Sequence, residues 1–457
     1  MKIYIYTTSL LFFVLISNIK AQENLSFYNL NDYVIQTQNI SPVYLPKYKY
    51  NFGTPLNFGG NINSSIKLND ILVENGNNLK IDLNNLNSVA EDNNFLASEM
   101  VVNIFMLGIK TKRGSISFFQ NIKSNLTGEF SNNMTEIAAN GFVESFSSSS
   151  EKIGLTAYSE IGVGITRTFL KEKLAIGLRL KYLSGIAHAE LEDSAQFSLD
   201  IDPTNFLWTL NSSNVTLNTS GGTDIDKKAV FGQNAGFGMD FGISYKLNDK
   251  FSFDFSANDL GSINWTEDVT NYNLEDATDV VYNGIEFENR DNVRDDLENA
   301  LRNIIDTNES NNSFKSNIGS KILFSSKYQM SEKNVFRATY FSNNTPHADI
   351  KPSFGLGYNR ELNKSTYGVI ASTGGINGGF KVGANLAVQL GFLQLYGAID
   401  DLSSLNGKVE QIKEANLRLG INFLFGYSGK SNDEKLEENL DENLEEKDQL
   451  LINNKVN

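Results

Sequence analysis

The residues that could do chemistry in this chain are few. Cysteine is absent, which removes disulfides, thiolate metal sites and cysteine nucleophiles. The histidines are His188 and His347. A serine hydrolase needs a base within hydrogen-bond reach and a third group to orient it, and no local motif supplies that set. Asn- and Asp-rich stretches offer oxygens, but none has EF-hand spacing. No enzyme and no cofactor or metal is expected. What remains is a set of charges set within alternating apolar stretches: Glu160, Arg179, Lys181, Asp240, Lys246 and Asp254. Opposite charges that share one interior either form ion pairs that fill it or line a polar path through it.

The elements that position these charges are strands. From Asn234 to Trp265, Ala235, Phe237, Met239, Phe241, Ile243, Tyr245 and Leu247 fall on one register. Gly236, Gly238, Asp240, Gly242, Ser244 and Lys246 fall on the other. Phe251, Phe253, Phe255 and Ala257 then alternate with Ser252, Asp254, Ser256 and Asn258, after a turn at Asn248-Asp249-Lys250. Period two arises when the two faces of a strand see different surroundings. Sandwich strands run about 5–6 residues, whereas a tilted strand crossing a bilayer needs about 9–11. The limb from Ala235 to Leu247 is long enough to cross. The apolar register is therefore read as facing lipid and the polar register as facing a lumen.

Further strands are expected at Tyr48–Ile66, Ser98–Thr111, Ser115–Gly128, Lys152–Phe169 and Leu174–Glu190 before this hairpin. After it come Phe314–Tyr328, Asn334–Phe341, Asp349–Glu361, Ser365–Thr373, Gly379–Leu390, Leu393–Asp400 and Glu414–Tyr427. The sum is an all-β, antiparallel up-and-down transmembrane β-barrel of about fourteen strands over residues 48–427. Short and long connections alternate through the first half, so long loops belong on one side and tight turns on the other. Outer-membrane barrels place long loops outside the cell and tight turns in the periplasm. Loops shorten in the second half, so the outer rim should be lopsided. Ile186 and His188 continue the outward register of their strand, which puts His188 at the membrane interface.

Residues 1–21 read as a Sec signal: Lys2, an apolar run from Leu10 to Ile19, and Ala21 before the cleavage site. The expected location is the outer membrane, in contact with its lipid. The formal charge of −15 argues against nucleic acid. Residues 22–47 precede the first strand. They carry Phe27, Tyr28 and Tyr33 in an apolar cluster, and Pro42 and Pro46 oppose a long helix. Inward glycines such as Gly162, Gly242, Gly355, Gly357 and Gly383 leave room for another chain segment against the wall, or else relieve strand curvature. This segment is a candidate lumen plug. In the loop Thr266–Ser313, Val293, Leu297, Leu301 and Ile304 share a helical face and form a candidate lid helix, and a second helix is expected within residues 133–146. Residues 428–457 are an acidic tail, either disordered or a docking element for a periplasmic or envelope protein.

Ser41-Pro42-Val43-Tyr44-Leu45-Pro46, followed by Tyr50-Asn51-Phe52-Gly53-Thr54-Pro55-Leu56, resembles the opening of an uncharacterised Bacteroidetes-type outer-membrane β-barrel family, a domain of unknown function. Pro42 and Pro46 match that opening, while Ser41 and Val43 stand where the family has Asn and Ala. Phe392-Leu393-Gln394-Leu395-Tyr396 and Leu417-Arg418-Leu419-Gly420-Ile421-Asn422-Phe423 look like its closing strands. The outward aromatics of the last strand resemble the signal read by barrel-assembly machinery. The family is similar in architecture to the long-chain fatty-acid transporter (FadL-like) class, with fourteen strands and an N-terminal hatch. That resemblance implies passage of small hydrophobic molecules. The alternative is a non-transporting barrel that anchors or partners an envelope or secretion complex.

Overall fold

Fourteen strands form a closed antiparallel barrel in the computed structural model. The structure describes residues 25–427 except 68–69, 71, 76–77, 141–144, 149–150, 193–194, 202–203, 205–207, 222–232, 275, 283–306, 347–351, 375–378 and 406–412. The signal segment, His347, the lid-helix residues Val293, Leu297, Leu301 and Ile304, and the tail 428–457 lie outside the described residues.

The strands are β1 (Tyr48–Gly53 continued by Asn57–Ser64), β2 (Asn94–Thr111), β3 (Gly114–Phe130), β4 (Lys152–Phe169), β5 (Leu174–Leu191), β6 (Ala235–Lys246) and β7 (Phe251–Trp265). They continue as β8 (Ser320–Ser331), β9 (Asn334–Asn344), β10 (Ser353–Glu361), β11 (Ser365–Thr373), β12 (Phe380–Leu390), β13 (Leu393–Ile399) and β14 (Glu414–Tyr427). Each pairs with its chain neighbour. β14 returns to both halves of β1, with Tyr50 opposite Phe425 and Phe58 opposite Leu419, which closes the ladder. Phe237, Leu356, Leu386 and Phe324 point outward and are exposed, whereas Asn, Ser, Thr and charged side chains of the other register are buried. An apolar exterior around a polar interior inverts the soluble pattern and matches a barrel set in lipid. Among the described residues no helix is long and apolar enough to cross a membrane.

One end carries the tight turns. Leu170, Lys171 and Glu172 make theirs with three successive left-handed residues. Asn248 makes another by accepting, through its side chain, the N–H groups of Lys250 and Phe251, each at 2.9 Å. The other end carries the long loops. β2 and β5 each run 18 residues while β13 runs 7, so that rim is lopsided. A helix forms at Asn132–Asn140 and gives way to a strand at Ser145–Ser148. The loops Leu191–Gln233 and Thr266–Ser313 are not plain connections. Thr216–Gly221 and Val269–Leu274 pair with each other, and Thr216–Gly221 also pairs with the upper end of β5. Gln196–Ile201, Trp208–Ser213 and Ala277–Tyr282 join Ser145–Ser148 in a second, four-stranded sheet. These strands are only four to six residues long, too short for period two to stand out within a long connection.

Two expected strands are interrupted. β1 breaks at Thr54-Pro55-Leu56, because Pro55 has no N–H for the ladder. The Thr54 hydroxyl and the Asn57 amide donate to the Ile421 carbonyl instead, at 2.9 and 3.2 Å. The strand expected from Phe314 breaks at Gly319, whose φ is +82°, leaving Phe314–Asn317 as a separate piece on β7. Two bulges change which way side chains point. On β7, Leu260 pairs with Met239 but Ala257 pairs with Phe241, so Asn258 and Asp259 both face Asp240. On β5, Ala187 pairs with Ala157 but Gly185 pairs with Tyr158, so Ile186 is extra. Beyond it the parity inverts, and both Ile186 and His188 are buried rather than at the lipid interface.

Candidate functional site in the barrel interior

Residues 25–47 lie against the inner face of the wall. They form a helical turn at Leu25–Tyr28 and 3-10 turns at Asn31–Tyr33 and Ile35–Asn39. Phe27, Tyr28, Leu30 and Val34 pack with Phe341, Ile370, Ala387 and Tyr396 of the wall. Each fully buried Leu or Phe contributes roughly 1.5–3 kcal/mol relative to exposure. Pro42 and Pro46 are buried as well. Backbone groups in so irregular a segment need partners other than a helix or sheet. The wall supplies several. The Ser26 N–H donates to Asp400 at 2.6 Å, and Arg179 donates to the Gln38 carbonyl at 2.7 Å. Gln394 donates to the Tyr33 carbonyl at 2.6 Å, and Gln36 pairs its amide with Asn422 at 2.7 Å. The Tyr33 hydroxyl donates to the Leu362 carbonyl at the tight-turn end. Two wall glycines are required by close approach. A Cβ on Gly177 would lie 2.3 Å from the Pro42 carbonyl oxygen, and one on Gly242 would lie 2.9 Å from Val43.

Deeper toward the long loops lies a layer of charge. β2 through β8 each contribute to it: Glu99, Lys123, Glu160, Arg179 with Lys181, Asp240, Asp259 and Lys321. Lys181 reaches Asp259 at 2.5 Å, Asp240 at 2.6 Å and Glu160 at 3.4 Å. Lys123 reaches Asp259 at 2.8 Å and Glu160 at 3.1 Å. Lys321 pairs with Glu99 and lies 3.6 Å from Asp259. Arg179 stacks on Phe119 at 3.6 Å and faces Asp240 at 3.5 Å. Asn121 donates to Glu160 at 2.6 Å and accepts from Asn103 at 2.7 Å. Buried charges persist only where partners offset desolvation, and here each acid meets at least one cation. Above this layer, Tyr158, Leu183, Ile263, Trp265 and Ile318 form an apolar cap, and His188 stacks on Trp265. The imidazole contacts Thr156 at 3.0 Å and Glu190 at 2.9 Å.

The charges read from the sequence thus fall into three places. Glu160, Arg179, Lys181 and Asp240 converge in the layer. Asp254 is buried lower down, where it accepts from the Tyr28 hydroxyl at 3.4 Å. Lys246 is exposed at the tight-turn mouth. Sequence reasoning missed Asp259, on which three lysines converge. By parity it belongs outside, and only the bulge, with Asp259 at φ +57°, turns it inward. It also missed Lys123, Lys321 and Glu99, each on the polar register of its strand, where the signal was available.

With the barrel and its contents defined, comparison with known proteins places the chain. The model of a family of unknown function (DUF5723) matches residues 42–400. The chain belongs to that family. No match is found among curated proteins. Among solved structures, the fold is similar to a TodX deltaS2S3 mutant monoaromatic hydrocarbon channel at 11% identity and TM-score 0.39, over 85% of this chain and 93% of that one. It is also similar to the Pseudomonas putida toluene transporter TodX, at 9% identity and TM-score 0.35, over 89% and 95% of the two chains. A Pseudomonas aeruginosa FadL homologue aligns at 9% identity and TM-score 0.34, over 82% and 89%.

Proposed function

We propose that this outer-membrane barrel is closed at rest by residues 25–47 and admits small hydrophobic molecules when that segment moves. The observation that carries the reading is the way the segment is held. Its apolar side chains pack with Phe341, Ile370, Ala387 and Tyr396 of the wall, while hydrogen bonds with Arg179, Asn422, Gln394 and Asp400 tie it to β5, to β14, and to β13 and the residue that follows β13. No part of residues 25–47 belongs to the ladder, so its release leaves every strand pairing of the wall intact. Export through the signal segment and insertion by barrel-assembly machinery belong to the same reading.

The test is deletion of residues 23–40 with planar-bilayer recording of both forms. Assembly is checked by the mobility difference between unheated and boiled samples. The expected result is conductance in the deleted form alone. Silent traces from two correctly assembled barrels reject the hatch.

A second reading, a non-transporting barrel that anchors an envelope complex, is favoured by a different observation. The ties between Lys321 and Glu99 and between Lys123 and Asp259 join strands that are not neighbours, and they do not involve the N-terminal segment. A barrel that stays silent after the deletion but conducts when Asp259→Asn is added has its seal in that layer.

A further inference from the structure

The tight-turn mouth is basic in a chain that is otherwise acidic. Two adjoining hollows of about 860 and 210 Å³ open there beneath the N-terminal segment, and Lys110 borders both. Lys47, Lys333 and Lys364 complete the rim of the larger one, and Lys112, Lys173, Lys246 and Lys327 that of the smaller. Eight lysines thus line a space shared with the acids Asp32, Glu172, Asp254, Glu332 and Glu361. Three of those acids are already engaged: Glu361 lies 3.7 Å from Arg337, Asp254 accepts from Tyr28, and Asp32 accepts from the Leu45 N–H at 3.1 Å. Lys333 and Lys364 are exposed and Lys110 is half-buried. A concave site of one sign concentrates ligands of the other.

The chain itself carries a matching ligand. Residues 433–448 hold nine acids and two lysines. β14 ends at Tyr427, which pairs with Tyr48 next to Lys47, so the chain leaves the barrel at this mouth. Five residues lie between Tyr427 and Asp433, and an extended chain covers roughly 3.3–3.6 Å per residue, so the acidic run starts within reach of this mouth. A single exposed ion pair is worth only about 0–1 kcal/mol. Attachment raises the local concentration of the segment to the millimolar range, so several weak pairs suffice.

We propose that residues 433–448 are the ligand of this basic mouth and lie against Lys110, Lys333 and Lys364 in the same molecule. The inference is independent of the transport reading. The test uses the full chain in detergent, with carbodiimide coupling of carboxylates to amines followed by peptide mass spectrometry. Links from acids of 433–448 to Lys110, Lys333 and Lys364 are expected in excess over links to Lys315 at the opposite end. They should fall severalfold at high salt, since about 1 M salt shortens the screening length to roughly 3 Å. Isotope-mixed samples should give only same-isotope links. Links spread evenly over all lysines overturn the proposal, and so do mixed-isotope links, which would assign the mouth to a second copy or another acidic partner. A second measurement leaves the barrel untouched. With the nine acids replaced by Asn or Gln, acetylation of Lys110, Lys333 and Lys364 should speed up severalfold while Lys315 stays constant. Unchanged rates at all four lysines overturn the proposal.

Discussion

Lys123 on β3 reaches Asp259 on β7 at 2.8 Å, so two strands that are not neighbours in the wall are joined through its interior. Asp259 also receives Lys181 and Lys321, and its backbone N–H donates to Asp240 at 2.8 Å. One carboxylate thus ties three lysines together.

Asp259→Asn is the sharpest probe of that knot. Asn tolerates the left-handed backbone that Asp259 adopts, so the substitution removes charge with little change of shape. Lys123, Lys181 and Lys321 keep Glu160, Asp240 and Glu99, so the loss should fall short of the roughly 3–5 kcal/mol of a buried charge left wholly unpaired. The heating temperature at which the barrel loses its unheated gel mobility should drop. Adding Lys123→Met should recover part of the loss, and a double variant no better than the single would mean the pair is not coupled.

Gly177→Ala tests the seat of the N-terminal segment. The new Cβ would meet backbone atoms of Pro42 at 2.3 and 2.5 Å, which cannot yield as a side-chain tip would. Overpacking of this kind costs about 1–3 kcal/mol. Protease cleavage within residues 25–47 should rise while the barrel stays assembled. Gly128→Ala, whose nearest neighbour would be 3.9 Å away, is the control expected to change nothing.

Phe241→Arg probes the lipid face. Phe241 lies on the outward register of β6, opposite Leu178 and Ala257. A cation at mid-membrane depth on that face costs roughly 2–4 kcal/mol. The urea midpoint for unfolding from liposomes should fall accordingly. Normal stability would mean that the register is inverted.

Lys47 gives a pH dependence. Burial holds its ammonium down to about 8, and the ring of Tyr33 lies 3.1 Å away. A lysine whose folded pKa is lowered binds fewer protons folded than unfolded, so stability rises with pH between about 8 and the ordinary lysine value near 10.4. Below about 8 the full cost of charging it is present. Amine acylation at Lys47 should reach half its limiting rate near pH 8, about two units below the profile of a free lysine side chain. Equal profiles would remove the perturbation.

The sequence by itself determined the barrel. Alternation such as Phe237, Met239 and Phe241 against Gly238, Asp240 and Gly242 requires two surroundings, and its length requires a bilayer. The apolar character of Phe27, Tyr28 and Val34 likewise required burial somewhere. Tertiary structure decided what the interior does. Period two holds only while each residue faces one partner, so the bulges at Asp259 and Ile186 inverted it locally and moved Asp259 and His188 inside. The meeting of Lys321 with Glu99 depends on closure of the ladder through β14 and β1. No local pattern encodes it, because strands far apart in order are brought face to face only when the sheet curls shut.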